Sequence, residues 1–191
     1  MTLSQIMTLA LRQLDEDPQD ISEYDELFRI YANAGLRFAI AEYVKPRVQI
    51  EAESDENGTI AMPHDWVRIV DIRLSGESVR RNVFFELAPT GDAIKTAYPN
   101  KSFTIVAEVR GRDMEAGTDE PEYLPEEAHM ALCDYVCYRH LMNGNMAKQS
   151  RAQQYLQAYY TALRQLRPQG FGSVTAWRNL YEASDIRAVR W

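Results

Sequence analysis

From His129 to His140 the chain reads HMALCDYVCYRH, which places two imidazoles, two thiols and a carboxylate within twelve residues. Such groups bind zinc, or pair a reactive thiolate with a base. Spacing argues against both. At 3.6 residues per turn His129, Cys133, Cys137 and His140 fall within roughly 80° of one another, yet they spread over about 16 Å along the axis. Zinc needs four ligands at about 2.0–2.3 Å, so at most one adjacent pair could touch one ion. His64, the remaining histidine, lies in a segment of different pattern, and no second ligand pair completes a set. Leu132, Tyr135, Val136, Tyr138 and Leu141 make this helix apolar on most sides. Cysteine in such a place behaves as a small buried hydrophobe, so the stretch reads as core.

Other reactive patterns are missing. The chain has no G-x-x-x-x-G-K-S/T, no G-x-G-x-x-G after a strand, no G-x-S-x-G and no H-E-x-x-H. The glycines of "QGFGS" follow no strand and precede no lysine. Acidic clusters at 15–26, 51–56 and 113–127 could hold a carboxylate pair or a cation, but lack the residue order of a calcium loop. The expectation is a protein that is not an enzyme, with no catalytic residue, no metal and no cofactor.

The elements that position these residues follow from period. Thr2 to Gln5 fits a capping box, and Leu3, Ile6, Met7, Ala10 and Leu14 recur at helical spacing until Pro18. A second helix starts near Ser22, with Glu23, Asp25 and Glu26 at its positive end. Leu27, Ile30, Tyr31, Ala34, Phe38 and Ala41 mark its apolar face, Gly35 suggests close packing, and Pro46 closes it. Period two then takes over. Val48, Ile50 and Ala52 alternate with polar residues, and Asn57-Gly58 predicts a hairpin returning through Ile60 and Met62. "DWVRIVDIRL" and "SFTIVAEVRG" read as strands, "VFFEL" as a shorter one, and "TGDAIKTAYP" as a loose helical turn. A third helix opens at Leu124-Pro125-Glu126-Glu127 and ends near Asn143-Gly144-Asn145. The fourth runs from about Met146 to Leu166, with Ala152, Tyr155, Leu156, Tyr159, Leu163 and Leu166 on one face.

The fold class expected is α+β. An N-terminal helix pair and a C-terminal helical hairpin (1–46 and 124–167) pack together. A small antiparallel β lobe (47–123) is inserted between them, and an extended tail (168–191) follows.

With 191 residues the chain can bury one good core. Two cysteines four residues apart on one helix cannot staple a loop, so free thiols and a reducing compartment are expected. The start lacks a basic region followed by an apolar stretch, and no apolar run reaches the ~18 residues that span a bilayer. Synthesis in cytosol without a membrane partner is the reading. The net charge of −7 argues against a general nucleic-acid binder. Its distribution is uneven: residues 1–134 hold 26 acids against 13 bases, while Tyr135 to Tyr181 contain no acid. This split suggests that neighbouring copies attract each other, with Lys148, Arg151 and Arg164 at a subunit–subunit interface.

In this order of elements the chain resembles the head-to-tail adaptor (connector) proteins of tailed bacteriophages, over essentially 1–167. Three segments carry the resemblance: "ISEYDELFRIYANAGLRFAIAEY", "GTIAMPHDWVRIVDIRL", and "LPEEAHMALCDYVCYRHLMN" with "AQQYLQAYYTALRQL". The resemblance implies a structural virion protein, made in the host cytoplasm and located in the phage neck. It implies a self-assembled ring, expected to be a dodecamer, docked under the portal protein and above a downstream tail or nozzle protein. The ring would line a channel through which genomic DNA passes without specific binding. The tail beyond Pro168 would be the portal-docking arm, with Phe171, Trp177, Leu180, Tyr181 and Trp191 as its anchors. Three other readings stay open: another neck or tail-completion ring protein, a small cytosolic enzyme with an unrecognised acidic site, and a host regulatory α+β protein.

Overall fold

The structure is a computed structural model and describes residues 1–17, 21–62, 66–79, 85–88 and 93–166. Thr2 opens α1 (Leu3–Gln13) with the expected capping box: Gln5 N donates to Thr2 Oγ1, and Thr2 N donates to Gln5 Oε1. Helix α2 (Ile21–Ala39) runs into a π turn (Ile40–Val44), which Lys45 ends in the left-handed region at φ 47°. After the strands, Pro125 starts a 3-10 turn (Glu126–Ala128) that leads into α3 (His129–Leu141). Asn145 caps α4 (Met146–Arg164) by accepting from Lys148 N at 3.0 Å. The four helices share one core, drawn from α1, α2, α3 and α4 together with Met114 and Leu124. The mixed α+β architecture and the packing of the N-terminal helices on the C-terminal hairpin are as expected.

The face that α2 buries is rotated from the expected one, with which it shares Tyr31. Phe28, Tyr31, Ala32, Gly35, Leu36 and Ala39 are buried, whereas Ile30, Leu27 and Phe38 are 54%, 40% and 36% exposed. The helix carries two apolar stripes at i, i+3, i+4 spacing, and periodicity alone could not say which one meets the core. The buried stripe contains Gly35, and its lack of a side chain is what brings α3 and α4 close. A Cβ there would lie 2.9 Å from Tyr135 Cδ1, and Tyr159 Oη donates to the Gly35 carbonyl at 2.7 Å.

The strands make two small antiparallel sheets. One has the order β1 (Arg47–Glu53), β7 (Ser102–Val109), β3 (Trp66–Leu74), β4 (Glu77–Ser78). The other has the order β2 (Thr59–Ala61), β6 (Ala93–Thr96), β5 (Phe85–Leu87). They share a second core of Ile72, Phe103 and Ile105 from the first sheet with Ile60, Phe85 and Ile94 from the other. Asn57-Gly58 does turn the chain, but β1 and β2 do not pair. Asp55 Oδ1 accepts from Asn57 N and Thr59 N, and Gly58, at φ 73°, accepts from Thr96 N at 2.7 Å. The turn therefore hands the chain from one sheet to the other. The expected loose helical turn at 90–99 is instead β6 from Ala93 to Thr96, because Ile94 is fully buried between β2 and β5. Tertiary pairing overrides the weak strand preference of Ala and Lys here.

The expected acidic loop at 113–127 is in part a strap across the helices. Asn33 is buried and pairs reciprocally with Met114: Nδ2 donates to its carbonyl at 3.0 Å, and its N–H donates to Oδ1 at 2.9 Å. Arg37 pairs with Asp113, and Arg29 donates to the Glu115 carbonyl. The strap then meets the start of α1, where Leu3 N donates to Asp119 O and Ser4 N to Gly117 O. These bonds satisfy N–H groups that a helix start leaves unpaired. Asp119 closes the strap on itself by accepting from the Glu115 and Ala116 amides, which hold its carboxyl below the ordinary range.

Gly35→Ala tests the close approach. Alanine is favoured over glycine within a helix by about 1 kcal/mol, but the added methyl must displace a Tyr135 ring that packs on Tyr159 at 4.9 Å. Overpacking of this kind costs about 1–3 kcal/mol. The expected outcome is a net loss of stability, seen as a lower urea midpoint with an unchanged m-value.

Candidate functional site

The cysteine–histidine stretch lies in the middle of the helical core. Cys133 and Cys137 are fully buried and unbridged on α3. Cys137 Sγ faces α1, 3.2 Å from Gln13 Oε1 and 3.6 Å from the Ala10 carbonyl. Burial pushes the Cys133 thiol up to about 12 and raises that of Cys137 as well, the direction opposite to that of a reactive thiol. His129 uses both ring nitrogens: Nε2 donates to the Leu124 carbonyl at 2.9 Å, and Nδ1 accepts from the Met1 amino group at 2.7 Å. His140 sits edge-on to Tyr24 and Phe28, and burial lowers its pKa. Each of these groups thus has a packing or bonding role of its own. Among the described residues no three His, Cys, Asp or Glu side chains are grouped to hold a metal ion.

The β lobe contains a groove of about 540 Å³ lined by Met62, Trp66, β3, Val79, Phe85 and Leu87. Most of its lining residues are of apolar type, and its carboxylate, Asp71, already accepts from Arg73 and from the Ser78 hydroxyl. Glu108, buried in the first sheet, is bracketed by Arg68 at 2.9 Å and Arg47 at 3.4 Å from the strands on either side. These charges are arranged to hold strands in register.

Lys148, Arg151 and Arg164 are all exposed on α4, but they do not form one face. Lys148 and Arg164 stand about 24 Å apart along the helix and roughly 160° apart around it. The Lys148 stem lies against Gly144, where a Cβ would come within 2.6 Å of Cδ. Arg151 is engaged within its own chain: Nη2 donates to the Gln13 carbonyl at 2.6 Å, and the guanidinium pairs with Asp15 and stacks on Tyr155 at 5.9 Å. It ties α4 to the end of α1. Phe171, Trp177, Leu180, Tyr181 and Trp191 lie outside the described residues.

Two surface features escaped the sequence reading. One is the stripe of exposed Leu27, Ile30 and Phe38 with half-buried Ala34 among them, whose helical spacing reads in the sequence as the core face. Phe38 extends it toward Tyr43 and Tyr160, at 6.2 and 5.8 Å between ring centroids. The other is the outward ridge of α4: Ser150, Gln153, Gln154, Gln157, Ala158 and Thr161 are all exposed, and none is charged. A solvated face normally carries charges of both signs, so a run without any could have been noticed from the residues alone.

The helical lobe and the β lobe define a mixed α+β protein in which Cys133, Cys137, His129 and His140 are used in packing and internal bonding. No helix among the described residues is long and apolar enough to cross a membrane. Residues 1–181 match the family model described as SU10 adaptor protein. The chain belongs to this family, a family of phage head-to-tail adaptors, and is thus a viral structural protein. No curated protein matches the chain at a significant level.

Asp134, beside the two cysteines, provides a pH test. Burial pushes its carboxyl up to about 6, above the unfolded value of about 3.9. The fold therefore favours the protonated acid. That contribution is fully present below about pH 4 and is lost as pH rises through about 6. Asp134→Asn removes the charge and keeps the shape. Thermal melts should show a gain at pH 7 equivalent to on the order of 1 kcal/mol, after discounting for solvent screening of a partly exposed side chain, and little or no gain at pH 4.

Proposed function

We propose that the chain assembles into a ring, a dodecamer, that docks beneath the portal protein and carries a downstream tail or nozzle protein on its other side. Genomic DNA passes through its centre without specific binding. The observation that carries this reading is the adaptor-family match over residues 1–181. The acidic balance of residues 1–134 agrees with it, since a channel wall of that sign repels the phosphate backbone. The subunits meet head to tail, because a closed ring needs two different complementary surfaces. Lys148 and Arg164 then serve at the margins of that contact, where exposed ion pairs are worth about 0–1 kcal/mol each. Arg151 supports the same region through its hold on α1.

In this reading residues 168–191 are the arm that reaches the portal. Phe171, Trp177, Leu180, Tyr181 and Trp191 are its anchors, since Trp and Tyr are the side chains most enriched among strong interface contacts.

Sizing by light scattering, with and without the portal protein, tests assembly. A portal complex with a mass increment of a full ring is expected, and a portal that gains no mass would remove the proposal. A chain ending at Gln169 tests the arm. It should keep the melting temperature of the full protein and lose portal binding. Undiminished portal binding by the shortened chain would show that the anchors lie elsewhere.

A further inference from the structure

We propose that the exposed stripe of α2 and the uncharged ridge of α4 are the two halves of one contact between successive copies of this chain. This assignment rests on the ring reading above and specifies the surfaces that close it.

The first half is the stripe Leu27, Ile30, Ala34 and Phe38. On a helix these four positions fall within roughly 80° of one another, and Ile30 at its middle is 54% exposed. Phe38 also packs on Tyr159 and Tyr160, but Leu27 and Ile30 are not needed to hold α2 in place, because Phe28, Tyr31, Gly35 and Leu36 already do that on another side. Apolar strips of this kind mark interaction surfaces.

The second half must accept an apolar strip without desolvating charges. The α4 ridge of Ser150, Gln153, Gln154, Gln157, Ala158 and Thr161 meets that requirement. Thr161 further reduces its polarity by donating its hydroxyl to the Gln157 carbonyl at 2.7 Å. Depletion of charge at the centre with charge at the rim is the composition of an interface core. Charges of opposite sign flank the two: exposed Glu23 and Glu26 lie at the start of the α2 stripe, and exposed Arg164 follows the ridge at the end of α4. The two surfaces share no residue and belong to different helices of one lobe, so each copy carries both and they are not the same patch. A head-to-tail contact requires two such different surfaces. Portal and tail proteins, or the chain's own residues 168–191, are the alternative occupants of the stripe.

The test is site-directed cross-linking of the full-length protein, assembled alone or on the portal, with a short bismaleimide. Cys133 and Cys137 are fully buried and leave the introduced thiols as the reactive ones. Subunits carrying Ile30→Cys mixed with subunits carrying Gln154→Cys should give cross-linked dimers, while either variant alone should stay monomeric on a denaturing gel. The double variant should give a ladder. Cross-linking of Ile30→Cys to itself, to the portal, to a tail protein or within its own chain would overturn the assignment, as would rings that form without any cross-link. A protein that forms no ring even with portal present would overturn the ring reading itself, and is told apart by mass alone. Ile30→Glu supplies a second readout. The side chain is more than half exposed, so the melting temperature should hold while the affinity of assembly drops about tenfold or more. Assembly equal to that of the unmodified protein would also overturn the proposal.

Discussion

The helical lobe depends on one close approach, that of Tyr159 to the backbone of α2 at Gly35. Tyr159 is fully buried, and its hydroxyl, which burial keeps protonated, donates to the Gly35 carbonyl. The bond holds α4 at a fixed height along α2 even though α3 carries most of the packing between them. Tyr135 of α3 fills the space against the same glycine and packs its ring at a tilt on Tyr159. Three helices are thus indexed to one residue that has no side chain. The cysteines lie half a turn either way along α3, on the side away from Tyr135, where Cys137 faces α1, so these thiols too are enclosed in helix packing.

Much of this was legible in the residues. The capping box at Thr2, the helical hairpin at 124–166, the long strands at 66–74 and 102–109 and the meaning of Gly35 follow from period, caps and turn chemistry. What failed was whatever depends on a distant partner. Asn57-Gly58 specifies a turn, but the strand that Thr59 begins is claimed by β6, nearly forty residues further on. Ile94 has no local alternation to announce a strand and becomes one only because β2 and β5 lie on either side. On α2, two stripes satisfied the same helical template, and only the positions of α3 and α4 decide between them. The surface positions were the least legible. A basic residue such as Arg151 looks available in a sequence and is committed within its own fold once α1 ends beside it.

The doubled apolar character of α2 is informative for that reason. A helix with a single partner layer needs one stripe, and a second one costs solubility unless something covers it. In a subunit destined for assembly the same feature lets a single element serve the core on one side and a neighbour on the other. The strap at 113–119 is compatible with this economy, since it grips α2 through Asn33 and Arg37 and leaves Leu27 and Ile30 exposed.

The β lobe joins the helices through two chain crossings that lie side by side. Val109 donates to the Pro46 carbonyl at 3.1 Å, and directly beyond them Arg47 pairs with Glu108. On the helical side, Gly111 sits so close to the π turn that a Cβ would come within 2.5 Å of Ile40 Cδ1. Val109 is paired on its other edge too, by Trp66 of β3, so the sheet is three strands wide up to the last residue before the crossing. A strand held on both edges cannot slide in the plane of the sheet without lengthening hydrogen bonds on two sides. Shear applied at the crossing is therefore shared among three strands and not borne by one peptide linkage.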